Sequence, residues 1–176
     1  MAQPPPSLAN LLPLIAEQLV TETPIAIRKA AAGSASPPWC CALVFDGSLP
    51  AACLPPELAI VTLADREATL RDQEKRRIWY CLQYDGVGAA RYTNRVLLRR
   101  CAEATEHLVS RDETNAAAKL LTTVARRLND LPRKTFGNVS EDFVVYAFDR
   151  NLSTTALLER SLTARQRTDF QKRGLL

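Results

Sequence analysis

The stretch VVYAFDRN at residues 144–151 is an apolar run that ends in an aromatic residue followed by an aspartate. Two earlier stretches have the same form, CALVFDG at 41–47 and YCLQYDG at 80–86. Each run has the length and composition of a buried strand and is bounded by residues that favour turns. We therefore predict three strands in one sheet, with alternate side chains buried. They are predicted at residues 40–45, 78–83 and 143–148.

The aspartates that end these runs, Asp46, Asp85 and Asp149, have two interpretations. If they converge, they could bind Mg²⁺ or Mn²⁺ through oxygen ligands, or share a proton in acid–base catalysis. Asp-Gly, which occurs at 46–47 and 85–86, is however a strong turn signal. We favour the structural interpretation, in which each aspartate marks the point where a buried strand reaches the surface. The acidic site is the alternative, because functional sites are often built at strand ends.

Helical patterns occupy most of the remaining chain. An N-terminal helix is predicted over about 8–22, and Pro24 should break or kink it. Two long amphipathic helices are predicted over about 91–109 and 115–131. Helices and strands mix without a regular βαβ order. This predicts an α+β fold with a central, mostly antiparallel sheet and helices packed on it.

The length and composition are those of a globular protein. A chain of 176 residues, of which 47% are apolar and 24% charged, predicts one domain over residues 7–176 after a disordered Pro-rich tail at 1–6. Its apolar stretches are too short to cross a membrane, and no basic residue precedes the first one as in a secretory signal. The five cysteines show no C-x-x-C spacing, so we expect reduced, buried thiols and a cytoplasmic location.

The charge is unevenly distributed along the chain. Residues 1–60 carry two basic and four acidic residues, whereas residues 61–176 carry 21 basic and 15 acidic residues. On the helix predicted from residue 91, Arg91, Arg95 and Arg99 recur every four residues and share a stripe. This stripe is either a contact surface for an acidic partner or a solvated helix face. The net charge of +4 is modest for a nucleic-acid binder.

Familiar catalytic and cofactor motifs are missing from the sequence. Its single histidine, His107, falls late in a predicted helix, and no G-x-S-x-G motif accompanies it. Zinc sites need closely spaced thiolates or imidazoles. The segment GVGAAR at 86–91 lacks the spacing of a dinucleotide loop and the lysine of a phosphate loop. We expect no catalytic residues, no metal and no cofactor.

The last third of the chain resembles known sequences. The segments LLTTVARRLN, SEDFVVYAFD and ERSLTARQRTDFQKRGLL, within residues 118–176, are similar to small bacterial domain families of unknown function. Some of these families look like immunity proteins encoded beside toxins. The resemblance implies a protein partner, such as a toxin to be neutralised, and it implies no catalytic residue.

Three functional hypotheses follow from these observations. The first is a non-catalytic protein that binds another protein, such as an immunity protein. The second is a nucleic-acid binder that uses the arginine stripe. The third is an enzyme with the acidic site described above. We rank them in this order because the first requires only a complementary surface.

Overall fold

The computed structural model describes residues 7–71, 75–111, 114–152 and 154–176. Residues 1–6, assigned to a disordered tail by the sequence analysis, lie outside this range. The helices of the described part are α1 (Leu8–Ala31), α2 (Leu63–Arg71), α3 (Arg95–Arg111), α4 (Thr114–Asn129), α5 (Thr154–Ser161) and α6 (Ala164–Lys172). The strands are β1 (Pro38–Phe45), β2 (Glu57–Thr62), β3 (Val87–Ala90) and β4 (Val144–Asp149).

The strands of the described residues form one mixed sheet in the order β3-β2-β1-β4. β1 pairs antiparallel with β2, and β2 pairs antiparallel with β3. β1 and β4 are parallel, with Cys41 opposite Val145 and Phe45 opposite Asp149. The predicted α+β class with a mostly antiparallel sheet is therefore confirmed, as are two of the three predicted strands.

The side chains on both faces of β1 and β4 are buried, whereas we predicted that only alternate side chains would be. On one face, Leu43 and Ala147 belong to a core cluster built with the apolar sides of α1, α3 and α4. On the other face, Val44 and Tyr146 pack with a second cluster that includes Phe170 of α6. Helices cover both faces of these strands, which explains why their sequences are continuous apolar runs.

The third predicted strand, residues 78–83, is wrong. This region forms short 3₁₀ helices at Lys75–Trp79 and Cys81–Gln83. Trp79 packs against Trp39, Tyr146 and Phe170, and its indole N–H donates to the carbonyl of Leu175 at 2.5 Å. The run is apolar because it covers one face of the sheet. A short apolar run does not by itself distinguish a strand from such a segment.

Two helix boundaries also differ from the prediction. α1 continues through Pro13 and Pro24 to Ala31, because its apolar side is held against the core along its whole length. α3 begins at Arg95, four residues later than predicted. The side chain of Asn94 accepts hydrogen bonds from the backbone N–H groups of the helix's second and third residues, at 2.9 and 3.2 Å, and so caps it. Arg91 therefore precedes the helix.

The outer edge of β4 is closed by side chains instead of a fifth strand. The amide of Asn129 donates to the carbonyl of Val145 at 2.7 Å and accepts from its N–H at 2.8 Å. The hydroxyl of Ser161 accepts from the N–H of Ala147 at 3.0 Å. These contacts join the ends of α4 and α5 to the sheet. Within the described residues, the structure contains no helix that is long and apolar enough to cross a membrane.

Candidate functional site

Two of the three strand-end aspartates lie close together. β1 and β4 are adjacent and parallel, so Asp46 and Asp149 reach the same edge of the sheet. The side-chain amide of Asn151 donates to Asp46, and the backbone N–H of Asn151 donates to Asp149 at 3.0 Å. Asp149 also accepts from the N–H of Gly47 at 3.1 Å, and a Cβ at Gly47 would collide with its carboxylate. These contacts hold the turn after β1 against the turn after β4.

Asp85 does not join this pair. The carbonyl of Gly86 accepts from the N–H of Ile60, and Ile60 is opposite Cys41 near the start of β1. Asp85 thus lies two strands away from Asp46 and, at about 3.3 Å per residue, roughly 20 Å from it along the strand direction. No group of three or more His, Cys, Asp or Glu side chains in the described residues is placed to hold a metal ion. The three-carboxylate site, which was the alternative interpretation of these aspartates, does not form.

Asp46 and Asp149 act as turn-forming residues. Asp46 accepts from both the N–H and the hydroxyl of Ser48, at 2.9 and 2.6 Å. The hydrogen bonds from Ser48 hold the pKa of Asp46 below its usual value, so it is ionised at neutral pH. A carboxylate that accepts backbone N–H groups two residues ahead is the usual arrangement of an Asx turn. The aromatic–Asp pattern at these two sites therefore marks the ends of strands.

The cysteine thiols are buried, which makes them poor nucleophiles. All five are free and buried. Burial raises the pKa of Cys81 and of Cys101 to about 12, and that of Cys53 to about 11. Burial likewise raises the pKa values of Cys40 and Cys41. Because the thiolate is the reactive form, none of these residues is prepared for nucleophilic attack at neutral pH.

The predicted arginine stripe is only partly a helix stripe. Arg95 and Arg99 lie one turn apart on the outer side of α3, and both are exposed. Arg99 forms an ion pair with Glu103 at 3.7 Å, but its side chain is 73% exposed, so the pair adds little stability. Arg91 is exposed in the segment before the helix. In the parts of the chain that the structure describes, neither Arg91 nor Arg95 forms an ion pair.

Exposed aliphatic side chains accompany these arginines. Val96 and Leu98 are 43% and 37% exposed, on the flanks of α3. Leu98 and Arg91 line a cleft of about 420 Å³ beside Pro55 and Pro56. We call Arg91, Arg95, Val96, Leu98 and Arg99 the α3 face. It combines exposed positive charge with accessible apolar surface.

The apolar part of the α3 face was missed by the sequence analysis. The signal was present at Leu98, which lies outside the buried seam formed by Leu97, Cys101, Ala104 and Leu108. The contribution of Pro55 and Pro56 had no such signal, because it depends on how the β1–β2 connection packs beside the start of α3. Glu57 also lines the cleft, but its carboxylate is paired with Arg150 at 2.8 Å.

Several other arginines are engaged within the fold. Arg127 makes two hydrogen bonds to Glu17, at 2.7 and 2.8 Å. Arg66 and Arg173 both contact Asp142, at 3.1 and 2.8 Å. Part of the basic excess after residue 60 is therefore neutralised internally. This separates Arg91 and Arg95 of the α3 face from the arginines that are paired within the fold.

The chain matches no family model, and no curated protein or solved structure is significantly similar to it. The resemblance of residues 118–176 to immunity-protein-like families thus stays an expectation from sequence.

Proposed function

We propose that this is a non-catalytic protein that acts in the bacterial cytoplasm by binding another protein through the α3 face. The observation that carries the proposal is the combination on that face of exposed arginines, exposed aliphatic side chains and an adjoining cleft. Arginine is enriched at the energetically important positions of protein interfaces. Apolar contacts beside it exclude water and strengthen its interactions.

The charge of the α3 face indicates an acidic partner. Arg91, Arg95 and Arg99 present guanidinium groups that can bind carboxylates through two parallel hydrogen bonds. A carboxylate entering the cleft beside Arg91 would meet Pro55 and Leu98, where contact with water is reduced. Charge complementarity of this kind speeds association and selects among partners. An immunity protein that occludes the acidic active-site surface of a toxin would have these properties.

The arrangement of the polar residues supports a non-catalytic role. The thiols are buried with raised pKa values, and Asp46 and Asp149 are committed to turns. A protein that blocks a partner's site needs rigidity and shape more than reactive groups. Helices packed on both faces of the sheet provide a rigid support for α3.

A protein partner accounts for the α3 face better than a nucleic acid does. Proteins that bind single strands stack bases on exposed aromatic rings. Here Trp39 and Trp79 are buried. Tyr84 is half-buried and hydrogen-bonded to Thr69, and the exposed ring of Tyr80 lies edge-on against Phe148. Nucleic-acid binding by the arginines remains an outcome that the experiment below would reveal.

The proposal is tested by co-expressing the protein with the product of the adjacent gene. We expect the two proteins to co-purify and the cells to be rescued from any toxicity of that product. The double variant Arg95→Glu/Arg99→Glu should weaken the complex at least about a hundredfold, because each reversal removes an attraction and adds a repulsion. Arg95 is in the first turn of α3, where a glutamate is favourable, so this variant should fold.

The matched control is Lys119→Glu/Arg126→Glu, which reverses two exposed charges on α4. This variant should bind like the wild type. The proposal is wrong if the protein neither binds nor protects, or if both double variants bind equally well. Tight binding of an oligonucleotide that is lost only in the α3 variant would instead support the nucleic-acid hypothesis.

A further inference from the structure

A second cleft lies on the opposite side of the sheet from α3, beside α6. It has a volume of about 740 Å³ and lies between the 3₁₀ helix Arg133–Phe136, the turn before β4 and the first turns of α6. Arg133, Arg165, Thr168 and Phe170 are among the residues that line it. We call it the α6 cleft. None of its residues belongs to the α3 face.

One acidic residue that lines the α6 cleft is already neutralised. Asp142 accepts from Arg66 at 3.1 Å, from Arg173 at 2.8 Å and from the hydroxyl of Ser140 at 3.0 Å. Arg173 also pairs with Asp169 at 3.1 Å. Two guanidinium groups therefore compensate the carboxylates of Asp142 and Asp169. Beyond these pairs, the lining of the cleft carries further positive charge on Arg133, Arg165 and Lys172, in excess of the remaining carboxylate of Glu141.

Arg133 and Arg165 supply most of that further charge. Arg133 is half-buried, and neither residue forms an ion pair or side-chain hydrogen bond within the described residues. Burial lowers the pKa of Arg133, and the neighbouring positive charge of Arg165 lowers it further while Asp142 opposes the change. Two like charges thus line one cleft, with Arg133 half-buried and Arg165 exposed. An anion bound by both would offset the repulsion between them and the partial desolvation of Arg133.

The start of α6 strengthens this preference for an anion. The helix is nine residues long and begins at Ala164, which lines the cleft together with Arg165. Its first turn is fixed by Thr163 and Gln166, whose side chains bond reciprocally with each other's backbone N–H groups. The N-terminal end of α6, where the helix dipole is positive, therefore borders the same cleft as the two guanidinium groups.

We propose that the α6 cleft binds a small molecule through a single phosphate group held by Arg133 and Arg165. Arginine pairs suit phosphate because each guanidinium can contact two of its oxygens. A polynucleotide fits less well, since the carboxylates of Glu141 and Asp169 also line the cleft and would repel a run of phosphates. Phe170 is 1% exposed and offers no surface for stacking a base.

Inorganic phosphate is the probe for this site. It is titrated into the full-length protein at constant ionic strength, with chloride as the replaced ion, and binding is followed by ³¹P NMR line width. We expect one saturable site per chain. Arg133→Gln and Arg165→Gln should each weaken it at least about tenfold, the usual effect of losing a hydrogen bond between charged groups. Lys119→Gln removes one exposed charge on α4 and should leave the affinity unchanged.

A second readout reports on the same place. Both tryptophans of the chain are linked to the cleft by aromatic contacts through Phe170. The ring centroid of Trp79 lies 5.2 Å from that of Phe170 and 4.7 Å from that of Trp39. Phosphate should therefore change the intrinsic fluorescence with the same midpoint as the NMR titration. The proposal is overturned if wild-type binding is not saturable, if either glutamine variant with a native circular dichroism spectrum keeps full affinity, or if a single-stranded oligonucleotide binds the cleft more tightly than phosphate. These outcomes are independent of the α3 face.

Discussion

Replacing Asn129 by alanine should destabilise the protein more than any substitution of an exposed residue on the same helix. The Asn129 amide makes three hydrogen bonds: it donates to the carbonyls of Val145 and Ser161 at 2.7 and 2.8 Å, and accepts from the N–H of Val145 at 2.8 Å. Val145 and Ser161 are both fully buried. Asn129 thus satisfies the edge of β4 where a neighbouring strand would otherwise be needed.

The expected loss follows from the three backbone groups left without a partner. A buried polar group without a hydrogen bond costs about 1–3 kcal/mol, so Asn129→Ala should lower the free energy of unfolding by at least about 3 kcal/mol. The higher helix propensity of alanine offsets less than about 1 kcal/mol of this loss. Against a typical total of about 5–15 kcal/mol, the loss is large.

Urea unfolding followed by circular dichroism measures this loss through the midpoint and slope of the transition. The control is Thr123→Ala, also on α4, whose exposed hydroxyl donates only to the Lys119 carbonyl of its own helix at 2.9 Å. The control should change stability by about 0.5 kcal/mol or less. If Asn129→Ala lost less than about 1 kcal/mol, the closure of the β4 edge by this side chain would be refuted.

Three further outcomes are expected. Gly47→Ala should lower the free energy of unfolding by about 1–3 kcal/mol, because the new methyl group meets the Asp149 carboxylate. The control Gly33→Ala, where the methyl group has open space, should lower it by about 0.5 kcal/mol or less. Equal losses in urea unfolding would contradict the packing of the two turns. Burial raises the pKa of Asp142, but the hydrogen bond from Arg173 and the charge of Arg66 outweigh it, so the folded pKa lies below the usual 3.8. This carboxylate therefore stabilises the fold above about pH 4, and its contribution disappears as the pH falls through the folded pKa. Asp142→Asn should flatten the acid side of the curve of unfolding free energy against pH. An unchanged slope would count against the ion pairs of Asp142. A thiol reagent at neutral pH should react slowly with the folded protein and with all five cysteines after unfolding in urea; rapid labelling of the native state would contradict their burial.

The parts of the fold that could be predicted from sequence are those with a strong local signal. The runs that form β1 and β4 are short, apolar and bounded by turn residues, so their burial in one sheet was predictable. Their parallel pairing was not, because it depends on where the intervening helices pack. Residues 78–83 carry the same apolar signal as the strands. They form short 3₁₀ helices instead, with local backbone hydrogen bonds. This placement lets Trp79 pack into an aromatic cluster whose other members are distant in sequence.

The candidate surfaces show the same division. The spacing of Arg95 and Arg99 predicted their shared exposure on a helix. Arg91 was wrongly assigned to the same helix, because Asn94, which caps α3, lies between Arg91 and Arg95. The clefts beside α3 and α6 are formed by segments far apart in the chain, and no local pattern encodes them. The aspartate pair was predictable only as strand ends. The distance of Asp85 follows from its position before β3, level with the start of β1, whereas Asp46 follows the end of β1.

The central claim is that the α3 face is the protein-binding surface. Its most direct test is hydrogen–deuterium exchange of the complex with the adjacent gene's product. We expect exchange to slow at the backbone amides around the cleft and the start of α3, at residues 57–58 and 91–99, because the partner would exclude water there. Peptides from α5 should be unchanged in the same experiment. Slower exchange in α5 or α6, with the α3 face unaffected, would place the interface elsewhere and contradict the account.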